Sequence, residues 1–246
     1  QKLNGSEIVQ AGDRLLHRHP QTIEPDVAGN VDVLYEDEAL VVLNKPAPLP
    51  MHAGGRYTRN TLQHVLDEVY WPQKLRPSHR LDANTTGLVI AARSKHFAGR
   101  VQKQFAAGQV EKIYLVRVQG HPAQDEFRCD APIGKEASVS GTREVDEQDG
   151  DHATTLFKVI ERSSDGTSLM EARPLTGRTN QIRIHCAHLG FAVVGDEAYG
   201  TGEDAPRLTK QVGEPPLCLH AWQIGFAHPA SGERLTFTAQ PPDWAR

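Results

Sequence analysis

The residues best suited to chemistry lie in the stretch Ser78-His79-Arg80-Leu81-Asp82-Ala83-Asn84-Thr85-Thr86-Gly87. A carboxylate, Asp82, precedes a cluster of turn formers, and Arg80 stands two residues before it. A carboxylate held on a short connection can serve as a nucleophile, as a proton acceptor, or as a counter-charge to a cationic sugar. It can equally cap its own turn, and local chemistry alone favours that plainer role. Tyr114 is the second candidate. It shares one side of an expected strand, Val110 to Gln119, with Val116 and Val118. A tyrosine among valines is ordinarily a core residue with a satisfied hydroxyl.

The elements that must position these groups are legible from periodicity. Leu88 to Ala92 reads as a buried strand that follows the Asp82 turn. Val31–Tyr35 and Leu40–Asn44 read as strands joined through Glu36-Asp37-Glu38. Leu62, Val65, Leu66 and Val69 fall at helical spacing. Ser94 is an expected N-cap for a second helix with Phe97, Val101 and Phe105 as its apolar stripe, Lys95, Arg100 and Lys103 opposite, and Gly108 as its stop. Strands are expected at 153–160 and 168–173, a helix from Thr179 through Ile182, Cys186 and Leu189, and a closing hairpin at 217–226 and 235–239. Runs of strands with few helices between them indicate an α+β domain, an extended, mostly antiparallel sheet flanked by helices. His17 to Gly29, with Pro20 and Pro25, reads as a linker, so the expected division is 1–16, a linker at 17–30, and one domain at 31–246.

A chain of 246 residues with 38% hydrophobic residues can bury a full core. Three cysteines, an odd number, suggest free thiols in a reducing compartment. No apolar run approaches the ~20 residues of a membrane span, and the expected location is cytoplasmic. The net charge of -4 counts mildly against a nucleic-acid partner, but the distribution says otherwise. Lys74 to Arg117 holds nine basic residues against two acids, Asp82 and Glu111. A central basic cleft around one carboxylate is what an approaching phosphate backbone requires. The acids of Glu144 to Asp151 read as a solvated, mobile surface loop.

The stretch around Asp82 resembles the signature H-R-L-D-x-x-T-S/T-G-L of the RluA-type pseudouridine synthases. Leu40-Val41-Val42-Leu43-Asn44-Lys45-Pro46 with Leu49-Pro50-Met51-His52 resembles that family's first motif. Pro174-Leu175-Thr176-Gly177-Arg178-Thr179-Asn180-Gln181-Ile182-Arg183-Ile184-His185, with Gly195-Asp196-Glu197-Ala198-Tyr199-Gly200, resembles the third. Glu111-Lys112-Ile113-Tyr114 is similar to its K-x-Y position, and residues 1–16 resemble the end of an S4-type RNA-binding module. The resemblance implies isomerisation of uridine to pseudouridine in structured RNA, with the nucleotide extruded into a pocket. It implies Asp82 as the catalytic carboxylate, Arg183 as its ion-pair partner keeping it charged, and Tyr114 packed on the uracil as base or acid. His79, Arg80, Thr86, Arg178, Asn180 and Gln181 are the expected substrate-binding residues, Arg80 entering the vacated stack. Asn180 departs from the family's usual histidine and cannot carry charge. No atoms are gained or lost and no redox step occurs, so no cofactor and no metal is expected. The expected partner is ribosomal RNA, with transfer RNA as the alternative, rather than DNA or a membrane, and the expected state is a monomer.

Three rival readings stand beside this one. Cys186/His188 and Cys218/His220 suggest zinc, but helical residues two apart point roughly 200° apart and cannot share an ion. A hydrolase would need a nucleophile elbow, and the chain has no G-x-S-x-G. A catalytically silent RNA-binding protein would have no use for Asp82, Tyr114 and Arg183 together.

Overall fold

Asp37 closes the first hairpin: its carboxylate accepts from the backbone N–H of Ala39 (2.7 Å) and Leu40 (2.9 Å). That turn joins β1 (Asp32–Glu36) to β2 (Leu40–Lys45). Then follow α1 (Leu62–Val69), β3 (Arg76–Pro77), β4 (Thr86–Ala92), α2 (Lys95–Ala106), β5 (Glu111–Gln119), β6 (Glu126–Cys129), β7 (Thr155–Arg162) and β8 (Thr167–Pro174). The chain ends with α3 (Gln181–His188), β9 (Leu219–Ala227) and β10 (Arg234–Thr238). These elements belong to a computed structural model that describes residues 10, 23–137, 142–200 and 209–246.

Among the described residues the strands form one ten-stranded sheet in the order β1-β2-β4-β9-β5-β8-β7-β6, with β10 beside β9 and β3 beside β4. Every pairing is antiparallel except β4 with β9, which run parallel over Thr86↔His220 and Gly87↔Ala221. This seam joins two halves, each with its own helical cover. In the first half, alternate residues of the apolar run Leu40–Leu43 face opposite sides, and both sides are covered. Val41, Leu43, Val89 and Ala91 pack with Leu62 and Leu66 of α1, while Leu40, Val42, Leu88 and Ile90 pack with Val101 of α2. In the second half, Val116, Val118, Phe157 and Met170 pack under Ile182 and Cys186 of α3.

The α+β class and the mostly antiparallel sheet match the expectation. Ser94 caps α2, accepting from the Phe97 N–H at 3.1 Å, and Gly108 follows its end at φ 67°. β3 and β6, too short for a periodic signal, were not foreseen. The helix expected from Thr179 begins at Gln181, because Asn180 takes the left-handed region (φ 56°) and ends the preceding loop.

Two expectations change on the described residues, and a third lies almost wholly outside them. Nearly all of the S4-like segment, 1–16, lies outside them. The end of the expected linker is docked: the Glu24 carboxylate accepts from the N–H groups of Thr58, Arg59 and Asn60 at 2.6–2.8 Å, and Ala28 N–H donates to the Pro48 carbonyl at 2.9 Å. The acidic segment is tied back rather than only solvated. Asp146 N–H donates to Pro132 O at 2.9 Å and Ile133 N–H to Asp151 O at 3.0 Å.

Candidate active site

The Asp82 turn is fixed from beneath by Lys45, which ends β2 fully buried. Its ammonium donates to the carbonyls of Pro46 (3.0 Å), Leu49 (3.0 Å) and Ala83 (3.2 Å), using all three donors. Burial pushes this lysine down to about 7, with the nearby Asp82 charge opposing the shift. The turn closes through Thr85 N–H to Asp82 O at 3.1 Å, and Asn84 Oδ1 accepts from Lys210 N–H at 2.9 Å. Gly87 completes it at φ 112°, pressed against β9: a Cβ there would lie 2.3 Å from the Ala221 carbonyl oxygen.

Across from this turn, Gln181 organises the loop between β8 and α3. Its carbonyl oxygen accepts from Thr176 Oγ1 (2.8 Å) and Arg178 N–H (3.0 Å), and its amide donates to Thr154 O (2.9 Å) and Thr155 Oγ1 (3.0 Å). One turn into α3, the buried Arg183 makes a two-point contact with Asp196, Nε to Oδ2 and Nη2 to Oδ1, each at 2.7 Å. Its remaining nitrogen, Nη1, donates to Asn180 Oδ1 at 3.2 Å and stands 3.7 Å from Asp82 Oδ2. The guanidinium lies over the Tyr199 ring at 4.8 Å, and the Tyr199 hydroxyl accepts from Asn180 Nδ2 at 3.0 Å. Burial is the largest single influence and works against the charge of Arg183, but the hydrogen bonds to Asp196 together with the charges of Asp196 and Asp82 raise its pKa overall.

Between the two sides opens a cavity of about 140 Å³, lined among others by Arg80, Asp82, Thr85, Lys112, Tyr114 and Arg183. Asp82 is the single acid among its lining residues, against the four cations Arg80, Lys112, Arg178 and Arg183. Tyr114, on β5, packs against the apolar clusters of both halves. Burial first, and the Asp82 charge second, push its phenol above the ordinary range, so the hydroxyl stays protonated. Burial lowers Lys112 to about 8, and its ammonium donates to Thr176 O at 3.0 Å.

Asp82, Tyr114, Arg183, Arg80, Arg178, Asn180 and Gln181 therefore meet at one cavity. His79 and Thr86 do not reach it. The partly buried His79 ring stacks on Phe105 at 4.7 Å and its Nε2 accepts from Ile90 N–H at 3.0 Å. Burial and the Lys112 charge lower it to about 3, so it is neutral. Thr86 Oγ1 is taken by His220 Nδ1 at 2.7 Å, and its neighbour Thr85 lines the cavity instead. Alternation explains the exchange, since successive side chains leaving the turn point to opposite faces. The basic stretch 74–117 also divides. Arg80 and Lys112 face the cavity, while Arg93 pairs with Glu36 and Arg117 Nε donates to Trp244 O at 2.8 Å.

Four residues at the site carried no assigned role in the sequence reading: Lys45, Thr85, Lys112 and Asp196. Lys45 left a trace, a lone cation ending the apolar run Leu40–Leu43. Asp196 left another in Gly195 beside it, where a Cβ would lie 2.1 Å from Pro216 O. The cysteines of the zinc reading are buried, with Cys218 pushed up to about 11 by desolvation, and His220 is engaged with Thr86.

The α+β sheet thus carries, at its seam, a cavity with one carboxylate among several cations. The model of the RNA pseudouridylate synthase family matches residues 39–188, and the chain belongs to that family. It is 33% identical over 256 residues to the uncharacterized RNA pseudouridine synthase YlyB of Bacillus subtilis (strain 168), covering 98% of this chain and 82% of that one. It is 32% identical over 213 residues to the dual-specificity RNA pseudouridine synthase RluA of Pasteurella multocida (strain Pm70), covering 86% and 93%. Ribosomal large subunit pseudouridine synthase D of Zymomonas mobilis subsp. mobilis (strain ATCC 31821 / ZM4 / CP4) is 34% identical over 242 residues, covering 93% of this chain and 73% of that one. Among solved structures, human RNA pseudouridylate synthase domain containing 1 superposes with a TM-score of 0.70 at 29% identity, covering 89% and 87% of the two chains. The chain is thus an RNA pseudouridine synthase, an isomerase acting on uridine in RNA.

Proposed function

We propose that Asp82 is the carboxylate that acts on the ribose C1′ of a flipped-out uridine, with Arg183 and Tyr114 completing the machinery. The observation that carries this is the placement of Asp82 as the single acid lining the cavity, 3.7 Å from a guanidinium otherwise held by Asp196. Isomerisation breaks the N1–C1′ bond, turns the uracil over and forms C5–C1′. The proton on C5 leaves and N1 gains one, so atoms balance without a co-reactant. Asp82, one quarter exposed at its side chain, can approach C1′ as a nucleophile or face it as a counter-charge. Tyr114, protonated at neutral pH, serves as a hydrogen-bond donor to the uracil rather than as a base, and its ring supplies a stacking face. Arg80 lies at the exposed rim, where a side chain can take the place of the extruded base.

Ribosomal RNA is the favoured substrate, supported by the similarity to a synthase named for the large ribosomal subunit; transfer RNA is the alternative. The protein works as a cytoplasmic monomer in this reading. Among the described residues no helix is long and apolar enough to cross a membrane. The test is tritium release from C5-labelled RNA. Wild type releases it, and Asp82→Ala releases none while still binding RNA; release undiminished by that substitution overturns the assignment. Mapping pseudouridines in RNA from cells lacking the protein identifies the substrate.

A further inference from the structure

A second hollow of about 500 Å³ opens beside the catalytic cavity. The two share Arg80, Lys112, Tyr114, Thr176, Gly177 and Arg178 as their common wall. Beyond that shared wall the hollow is lined by the apolar Phe105 and Ala106 at the end of α2 and Leu175, which is 55% exposed, and by the polar Ser78, His79 and Gln102.

The charges complete the picture. No acid stands among the residues lining this hollow, while three cations line the wall it shares with the cavity. Arg178 is partly engaged, Nη1 to Asp151 Oδ2 at 3.0 Å, and Lys112 donates to Thr176 O at 3.0 Å; neither contact fills all of that residue's donors. Ser78, one of the lining residues, is 5% exposed, and its hydroxyl has no hydrogen-bond partner among the described residues.

We propose that this second hollow binds the nucleotide next to the target uridine on the same RNA strand. It rests on the reading of the cavity given above, because continuity with that cavity is what places a neighbouring nucleotide there. The base lies against Phe105, Ala106 and Leu175. The phosphodiester joining it to the flipped uridine crosses the ridge of Arg80, Lys112 and Arg178. The His79 ring, stacked on Phe105 and bonded to Ile90 N–H, backs that apolar wall.

The experiment compares uridine 3′- and 5′-monophosphates with the dinucleotides UpU, UpA and ApU. Each competes against tritium release from C5-tritiated total RNA, ribosomal and transfer RNA together, of cells lacking the protein. At least one dinucleotide should inhibit at a concentration about tenfold lower than either mononucleotide, the gain expected of one stacked base. Ala106→Trp, which fills the hollow from an exposed helical position, should bring the dinucleotide down to mononucleotide level. Leu175→Glu should do the same by repulsion, and both are surface changes whose folding is checked by thermal melting. Dinucleotides no better than mononucleotides, or an advantage that survives both substitutions, overturn the proposal. A wild-type protein that releases no tritium, or as much as Asp82→Ala, sinks the reading of the cavity instead. Calorimetric titration of the same dinucleotides then decides the hollow separately.

Discussion

Two turns offer a carboxylate to the same guanidinium, and they treat it in opposite ways. At 195–199 the carboxylate of Asp196 is fully buried at its side chain. It accepts two bonds of 2.7 Å from Arg183 and two more from the backbone N–H groups of Ala198 (3.0 Å) and Tyr199 (3.1 Å). At 82–86 the carboxylate of Asp82 is one quarter exposed and meets Arg183 by a single 3.7 Å approach. The first acid has four donors around it and nothing left to offer. The second keeps its lone pairs for an incoming atom. A two-point guanidinium contact therefore marks the structural acid here, and the loose contact belongs to the acid proposed as the reactive one.

Exchanging the two acids for neutral residues is the sharpest way to break that contrast. Asp82→Asn should lower tritium release on the order of 10³-fold or more with unfolding in urea unchanged. Asp196→Ala should instead cost about 3–5 kcal/mol of stability in the same urea measurement, because it strands a buried guanidinium. Equal stability losses for both would erase the distinction. In Asp196→Asn the guanidinium should turn toward Asp82, closing the 3.7 Å gap to hydrogen-bond length in a crystal structure and lowering the rate.

A weaker effect concerns Lys112. Its amine, lowered to about 8 by burial, loses its charge as pH rises through that value, well before an ordinary lysine. RNA affinity should therefore fall between pH 7 and 9. Lys112→Arg should flatten the curve, and Lys112→Met should reduce the log–log salt slope by about one at pH 7. The smallest effect is at Thr86. Thr86→Val removes the 2.7 Å contact to His220 and should cost about 1 kcal/mol in thermal unfolding, with the KM for RNA moving little. A large rise in KM would return Thr86 to the substrate.

The asymmetry between the turns also explains what the sequence could reveal. The strands of the first half are continuous apolar runs, Leu40–Leu43 and Leu88–Ala92, and a run reads directly. The capped helix at Ser94 and the α+β class follow from equally local patterns. Asp82, Tyr114 and Arg183 were found through motif resemblance, and one cavity gathers them. Local pattern could not distribute Arg183 between two acids, since that depends on Asp196 arriving 13 residues later through a turn packed on Pro216. It could not separate Thr85 from Thr86 either, because one step of backbone direction decides which faces the cavity. Lys45 was hidden for a related reason: three carbonyls from two loops meet its ammonium, and no spacing rule encodes that.

Gly87 has one more lesson. Asp82 comes from one half of the sheet, Tyr114 and Arg183 from the other, and the strand pairing that joins the halves is a parallel seam two residues long. The gap across the cavity is thus gauged by a hydrogen atom where any other residue would carry carbon, 2.3 Å from the Ala221 oxygen. A chain with every reactive group intact but a methyl at 87 would hold its tools at the wrong separation.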